Sequence, residues 1–139
     1  MKMGPEKARE LFAGASVARL ATVSAEGTPH LVPVTFAVRA DELYFAIDHK
    51  PKNTWNLRRL RNIRDNERVA LLVDHYDDDW EQLWWARADG HAEIWQDAAR
   101  REDPVESLCR KYHQYREQAP QGPVVAVKVV QWTGWSFTG

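Results

Sequence analysis

The chain has a single cysteine, Cys109, so it cannot close an internal disulfide; a lone thiol fits a reducing cytosol and a cytoplasmic protein. No apolar run approaches the roughly 18 residues that a membrane span requires. The charged opening MKMGPEKARELFAG lacks the apolar stretch of a signal peptide, so neither export nor a membrane partner is expected. Neither sign of charge dominates: 19 Lys and Arg against 20 Asp and Glu give a net charge of -1, which argues against a general nucleic-acid field. Linkers, repeats and low-complexity tracts are absent, and 139 residues suit one domain spanning 1–139. A chain of this size buries roughly 70% of its unfolded surface and needs no metal or disulfide to fold. No serine sits in a G-x-S-x-G context and no nucleophile–base pair stands out. Catalytic residues are therefore left unassigned. A protein without such a dyad is suited to a cofactor that brings its own chemistry.

Two features are over-represented. Seven tryptophans occur in the 139 residues; Trp fills cores, stacks on planar ligands or anchors interfaces. The segment His49–Arg64, HKPKNTWNLRRLRNIR, holds six Lys and Arg and no acid. It follows the strand-like run LYFAI and opens a helix-like one. A strand, a short Lys-bearing loop and a helix start together suit a phosphate, with backbone N–H groups and the helix dipole facing the anion and Lys50 and Lys52 adding charge. A solvated charged turn is the competing reading.

Periodicity predicts a helix over Pro5–Phe12, a strand over Val17–Val23, a turn at Ala25–Thr28 and a partner strand over Leu31–Val38, where Pro33 argues for an edge or a bulge. A third strand is expected over Leu43–Ile47 and a helix over Thr54–Asn66, with Leu57, Leu60 and Ile63 on one face and Arg58, Arg59, Arg61 and Arg64 on the other. Val69–Val73 reads as a central strand. A fifth strand over Leu83–Ile94, a helix over Pro104–Tyr115 and a last strand over Val124–Phe137 complete the chain. The fold class is mainly β with α (α+β): a six-stranded antiparallel barrel, closed or partly open, with two or three flanking helices.

The runs ARLATVSAEGTPHLVPVTF, LYFAIDHKPK, RVALLVDHYDDDW and WWARADGHAEI, in this order, resemble the pyridoxamine 5'-phosphate oxidase-like, flavin-binding split-barrel family, and in particular its actinobacterial branch associated with the deazaflavin coenzyme F-420. The likeness covers about residues 5 to 136. It implies that His30, Leu31, Val32, Pro33 and Val34 line the isoalloxazine-type ring. It further implies that Ala46, Ile47, Lys50, Lys52, Asn53 and Thr54 hold the ribityl chain and phosphate. Trp85 and Arg87 would approach from the other side, contributed by a second subunit, because the family's cofactor sits at a homodimer interface. Two departures make pyridoxamine phosphate itself an unexpected substrate: the additional residues in TWNLRRLRNIRDN, and an ending in WTGWSFTG without the Arg/His-bearing segment used by those oxidases. The resemblance leads to an F-420-dependent oxidoreductase that passes a hydride between the deazaflavin and a small electron-poor molecule such as an enone, a quinone or a tetrapyrrole-like compound. The alternatives are flavin mononucleotide in the same fold, or a non-catalytic carrier of a flavin or haem-like ligand.

Individual residues keep two readings. The helix arginines are either a solvated face or a track for the glutamate tail of coenzyme F-420. Trp84 and Trp85 are adjacent in a strand and face opposite sides; Trp85 with Arg87 suits either an anionic reduced ring or a dimer interface. Asp74, His75, Asp77, Asp78 and Asp79 lack EF-hand spacing and a second His at a useful interval, so no metal is expected.

Overall fold

The structure is a computed structural model, and it describes residues 1–47 and 57–138. Its elements in chain order are β1 (Lys2–Met3), α1 (Pro5–Gly14), β2 (Ala18–Val23), β3 (Pro29–Val34), β4 (Ala37–Arg39), β5 (Glu42–Ala46), α2 (Arg58–Asp65), β6 (Arg68–His75), a 3-10 turn (Trp80–Gln82), β7 (Trp84–Trp95), α3 (Ala98–Lys111), α4 (His113–Glu117) and β8 (Val124–Ser136). One antiparallel sheet runs β3-β2-β6-β7-β8-β5-β4, with β1 added on β8. This is the expected α+β split-barrel class.

The sheet is drawn together by strict alternation. In β2, Ala18, Leu20 and Thr22 point inward while Arg19, Ala21 and Val23 point outward. The same alternation runs through β6 and β7. Inward side chains, including Leu20, Phe45, Leu71, Val73, Val125 and Val127, form the main core, joined by Phe12 of α1 and by Leu60 and Ile63 of α2. A second, smaller cluster of Tyr44, Val124 and Ala126, with Trp95 and Val105, lies on the outer side, where α3 covers the sheet. The interior is therefore filled by side chains.

Three expectations about elements are corrected. The strand expected over Leu31–Val38 is two strands, because the chain leaves the ladder at Thr35 and Phe36. Among the described residues β3 pairs only with β2 and β4 only with β5, so the two sheet edges are the two halves of one segment and meet at that corner. Pro33 does lie on an edge strand, as a residue without an N–H must. The helix expected to start at Pro104 starts at Ala98, where Asp97 caps it by accepting from Arg100 N–H at 3.0 Å; Pro104 sits inside. That helix also ends at Lys111, and α4 is separate. Finally, the two-residue β1 adds a strand that its length hid from any periodicity argument.

The corner is held by Tyr112, between α3 and α4. Its hydroxyl accepts from Phe36 N–H at 3.1 Å and donates to Ser16 C=O at 2.8 Å, with Phe36 C=O at 3.0 Å. Beside it, the Thr35 and Tyr115 hydroxyls lie 2.8 Å apart. These contacts satisfy backbone groups that have left the sheet and would otherwise be orphaned. Tyr112→Phe is accordingly expected to cost about 1–3 kcal/mol, the penalty for stranding a partly buried polar group. Urea denaturation would read this as a lower midpoint at unchanged slope; an unchanged midpoint would show that the corner does not depend on this hydroxyl.

Candidate functional site

The sheet offers two kinds of place for a ligand, an unpaired strand edge and an uncovered face. β3 supplies the edge. Its residues divide by side: His30, Val32 and Val34 sit opposite Thr22, Leu20 and Ala18 and point inward, while Pro29, Leu31 and Pro33 point outward. Of the ring-lining set implied by sequence, Val34 is therefore a core side chain, whereas Leu31 is 68% exposed. The His30 Nδ1 is buried with no hydrogen-bond partner. A buried polar atom without a partner is costly, and here it lies on the strand expected to meet the ring.

The far strand of the set is β5. Ala46 pairs with Val124, and Ile47 buries its side chain in the core while donating its N–H to Pro123 C=O at 2.9 Å. Ile47 thus has neither side chain nor N–H free for a ligand. Lys50, Lys52, Asn53 and Thr54 lie outside the described residues.

The uncovered face is the outer side of β3, β2, β6, β7 and the end of β8. Aligned in register across it are Leu31 and Ala21, then Leu72, Arg87 and Thr133 with Arg19, and then Asp74, Trp85 and Trp135. α3 covers only the opposite end, around Trp95 and Tyr44. Leu72 is 36% exposed and Val130 64% exposed. A cleft of about 380 Å³ opens on this face, lined among others by Leu72, His75, Tyr76, Trp85, Arg87 and Trp135. The Arg87 guanidinium sits 5.8 Å from the Trp85 ring centroid and its Nε donates to Asp89 at 2.8 Å. Trp84 turns to the other side and packs against the core, and its ring stacks on His75 at 6.1 Å.

The structure brings Trp85 and Arg87 together, but it does not bring them to β3. β2 and β6 stand between β3 and β7, so three strand spacings, roughly 14 Å, separate them within one chain. Within one chain, a ligand seated on the β3 edge thus starts about three strand spacings from this Trp–Arg pair.

The arginines of α2 are not equivalent. Arg58, Arg61 and Arg64 are exposed. Arg59 is half-buried, its Nε is buried without a partner, and burial holds its guanidinium below the usual arginine range. Nothing in its composition separates it from its neighbours. It also hid the buried hydrogen bond from Asn62 Nδ2 to Thr22 Oγ1, 3.0 Å, which fastens α2 to β2 directly beneath His30. A lone Asn inside an apolar helix face was the available signal. The acidic segment is occupied by local turns: Asp77 Oδ1 accepts from Asp79 N–H and Asp79 Oδ1 from Glu81 N–H. Among the described residues no group of three or more His, Cys, Asp or Glu is placed to hold a metal, and no helix is long and apolar enough to cross a membrane. Cys109 donates its thiol to Tyr115 C=O.

Comparison with known proteins adds to this geometry. The profile described as pyridoxamine 5'-phosphate oxidase matches residues 5–136. A 5a,11a-dehydrotetracycline/5a,11a-dehydrooxytetracycline reductase from Streptomyces rimosus is 45% identical over 56 residues, which is 40% of this chain and 38% of that protein. The match thus spans well under half of the relative's length. Among solved structures, a conserved hypothetical protein from Mycobacterium tuberculosis superposes with a TM-score of 0.77 at 18% identity, covering 96% of this chain and 85% of the other. A FAD-binding protein from Mesorhizobium loti gives 0.73 at 18% identity, covering 96% and 95%. At such identities these two structures speak for the fold.

Arg87 and Asp89 are 43% and 34% exposed, so their ion pair contributes little to stability. Arg87→Ala is expected to leave thermal unfolding within the effect of about 1 kcal/mol. Calorimetry that finds a much larger loss would make Arg87 a structural residue and remove it from the ligand surface.

Proposed function

The chain belongs to the pyridoxamine 5'-phosphate oxidase family, and from that premise we propose that it is a homodimeric, cytoplasmic oxidoreductase that uses coenzyme F-420. The observation that carries the reading is the separation within one chain of the two halves of the site. The β3 edge lies on one side of the sheet's open face, and the Trp85–Arg87 cleft lies on the other. Two copies related by a twofold axis, packed open face to open face, bring the β3 edge of one against the Trp85–Arg87 pair of the other. Such an isologous contact also covers Leu31, Leu72 and Val130, which one chain leaves exposed.

When bound, the coenzyme supplies a hydride to an electron-poor acceptor. The protein's part is to hold and orient. Backbone groups along the outer side of β3 meet the ring edge. Lys50, Lys52, Asn53 and Thr54 take the phosphate. Arg59, with an unspent Nε, stands at the start of α2 to meet the anionic tail that distinguishes coenzyme F-420 from flavin mononucleotide. Trp85 and Arg87 face the ring from the partner copy, where a cation beside an aromatic plane favours an anionic ring. The reductase among the relatives supports reduction of a small organic acceptor, and the FAD-binding neighbour supports a flavin-type ligand. The same contacts would serve flavin mononucleotide except at Arg59, and it is the second reading.

Calorimetric titration separates the two. Coenzyme F-420 is expected to bind at least about tenfold more tightly than flavin mononucleotide, and Lys52→Ala to weaken it. A preference for flavin mononucleotide moves the protein to the second reading; binding of neither ends both. Light scattering tests the assembly: a mass near twice the 16.1 kDa of one chain is expected, and Leu72→Glu should return it to one chain while preserving the far-ultraviolet spectrum. A monomeric parent protein would overturn the shared site.

A further inference from the structure

A second cleft, of about 520 Å³, opens at the corner where β3 gives way to β4; its walls include Ser16, Val17, Thr35, Lys111, Tyr112 and Tyr115. None of its lining residues is acidic. The central group is Lys111, in the last turn of α3. Its Nζ lies 3.7 Å from the Phe36 ring centroid and 5.4 Å from that of Tyr112, and it donates one hydrogen bond, to Ala13 C=O at 3.2 Å. An ammonium carries three donors, so two are unspent on the protein's described residues. No carboxylate among the described residues lies within ion-pair distance of it, and burial lowers its pKa to about 8. The aromatic faces offset part of the cost of burying the charge, and a half-buried cation without a described counter-ion gains from a bound anion. Around it, the Thr35 and Tyr115 hydroxyls bond each other at 2.8 Å and retain one donor between them. Val17, 41% exposed, and the two tyrosine rings give the cleft an apolar wall.

We propose that this cleft is a binding site for a small aromatic carboxylate, with the carboxylate on Lys111 Nζ and the paired hydroxyls, and the ring against Val17 and the tyrosines. The donors are few and lie on one side, which suits a monocarboxylate with an apolar body better than a phosphate, whose several charged oxygens call for more donors than are present. The site is built from α1, α3, α4 and the β3–β4 corner. It stands apart from the Trp85–Arg87 cleft and does not depend on the cofactor reading.

The test uses the full chain and two probes, benzoate and inorganic phosphate, at matched ionic strength, followed by amide nuclear magnetic resonance. Benzoate is expected to shift the amides of residues 16, 17, 35 and 111–115 saturably, phosphate to leave them in place, and Lys111→Met to weaken benzoate binding by about tenfold or more. Absence of a saturable shift, equal response to phosphate, or benzoate affinity unchanged by Lys111→Met would each overturn the proposal. If Lys111→Met does not give a native spectrum, Val17→Glu replaces it by setting a like charge at the cleft; undiminished benzoate affinity in that variant overturns the proposal equally. The amides read here belong to none of the residues assigned to the cofactor, so this site and the cofactor site succeed or fail separately.

Discussion

The antiparallel ladder between β7 and β8 is the interaction on which the rest of the molecule depends. It runs from Trp84 against Ser136 to Trp95 against Val124, and every other part of the sheet is attached to one of its two strands: β6 and β2 through β7, β5, β4 and β1 through β8. Its inward side is made small on β7, with Ala86, Ala88, Gly90 and Ala92. That leaves room for Phe12 of α1, whose ring meets Phe36 at 5.0 Å and Trp132 at 5.4 Å, both edge-on. The ladder carries a bulge between Asp89 and Gly90. A Cβ on Gly90 would stand 2.3 Å from the Lys128 carbonyl oxygen, so the close approach at the bulge requires glycine. Bulges bend and twist the strand that carries them. On one side of this one, the outer face is buried under α3; on the other, it is bare.

That division decides where chemistry is possible. The barrel interior is full, so a three-ring cofactor has no place inside it. The outer face under α3 is also occupied. Among the described residues, open places include the β3 edge, the bare half of the outer face, the corner between β3 and β4, and a cleft between α3 and the β4–β5 turn. The tryptophans follow the same partition. Trp84 and Trp132 pack toward the core, Trp95 lies under α3, and Trp85 and Trp135 form a cross-strand pair on the bare face. Five of the seven tryptophans thus sort onto three surfaces of a single sheet; Trp80 is exposed in the 3-10 turn, and Trp55 lies outside the described residues.

Much of this was legible in the sequence because alternation is a local property. The opposition of Trp84 to Trp85, the shared face of Trp85 and Arg87, the edge position of Pro33 and the central position of Val69–Val73 all follow from a period of two and from the missing N–H of proline. The misreadings have different causes, some local and some nonlocal. Pro104 resembles a helix start, yet Asp97 caps the helix earlier, and α3 continues through the proline because Val105 and Leu108 are needed against the sheet and core. Leu31–Val38 looks like one strand because nothing in its composition marks Thr35 and Phe36 as a corner; the mark is Tyr112, far along the chain. Arg59 could not be told from Arg58 and Arg61, because burial differs between them and composition does not. The basic loop that the sequence makes most prominent lies outside the described residues, so its role rests on sequence and family alone.

The places left for ligands share a physical origin. Along the body of the sheet each backbone donor and acceptor is committed to a neighbouring strand, and such a surface offers a ligand only side chains. At the seam where β3 and β4 end the sheet, backbone groups are released, and the protein must satisfy them with something else. At Phe36 it uses the Tyr112 hydroxyl. Holding that hydroxyl in place fixes the end of α3, and this in turn sets the preceding residue, Lys111, over the Phe36 ring without a described counter-ion. Along β3 no further strand pairs among the described residues, and among them the inward His30 Nδ1 also has no hydrogen-bond partner. Polar demand left unmet among the described residues, at the β3–β4 corner and at His30, is where ligands or a second copy gain most from binding in a well-packed domain.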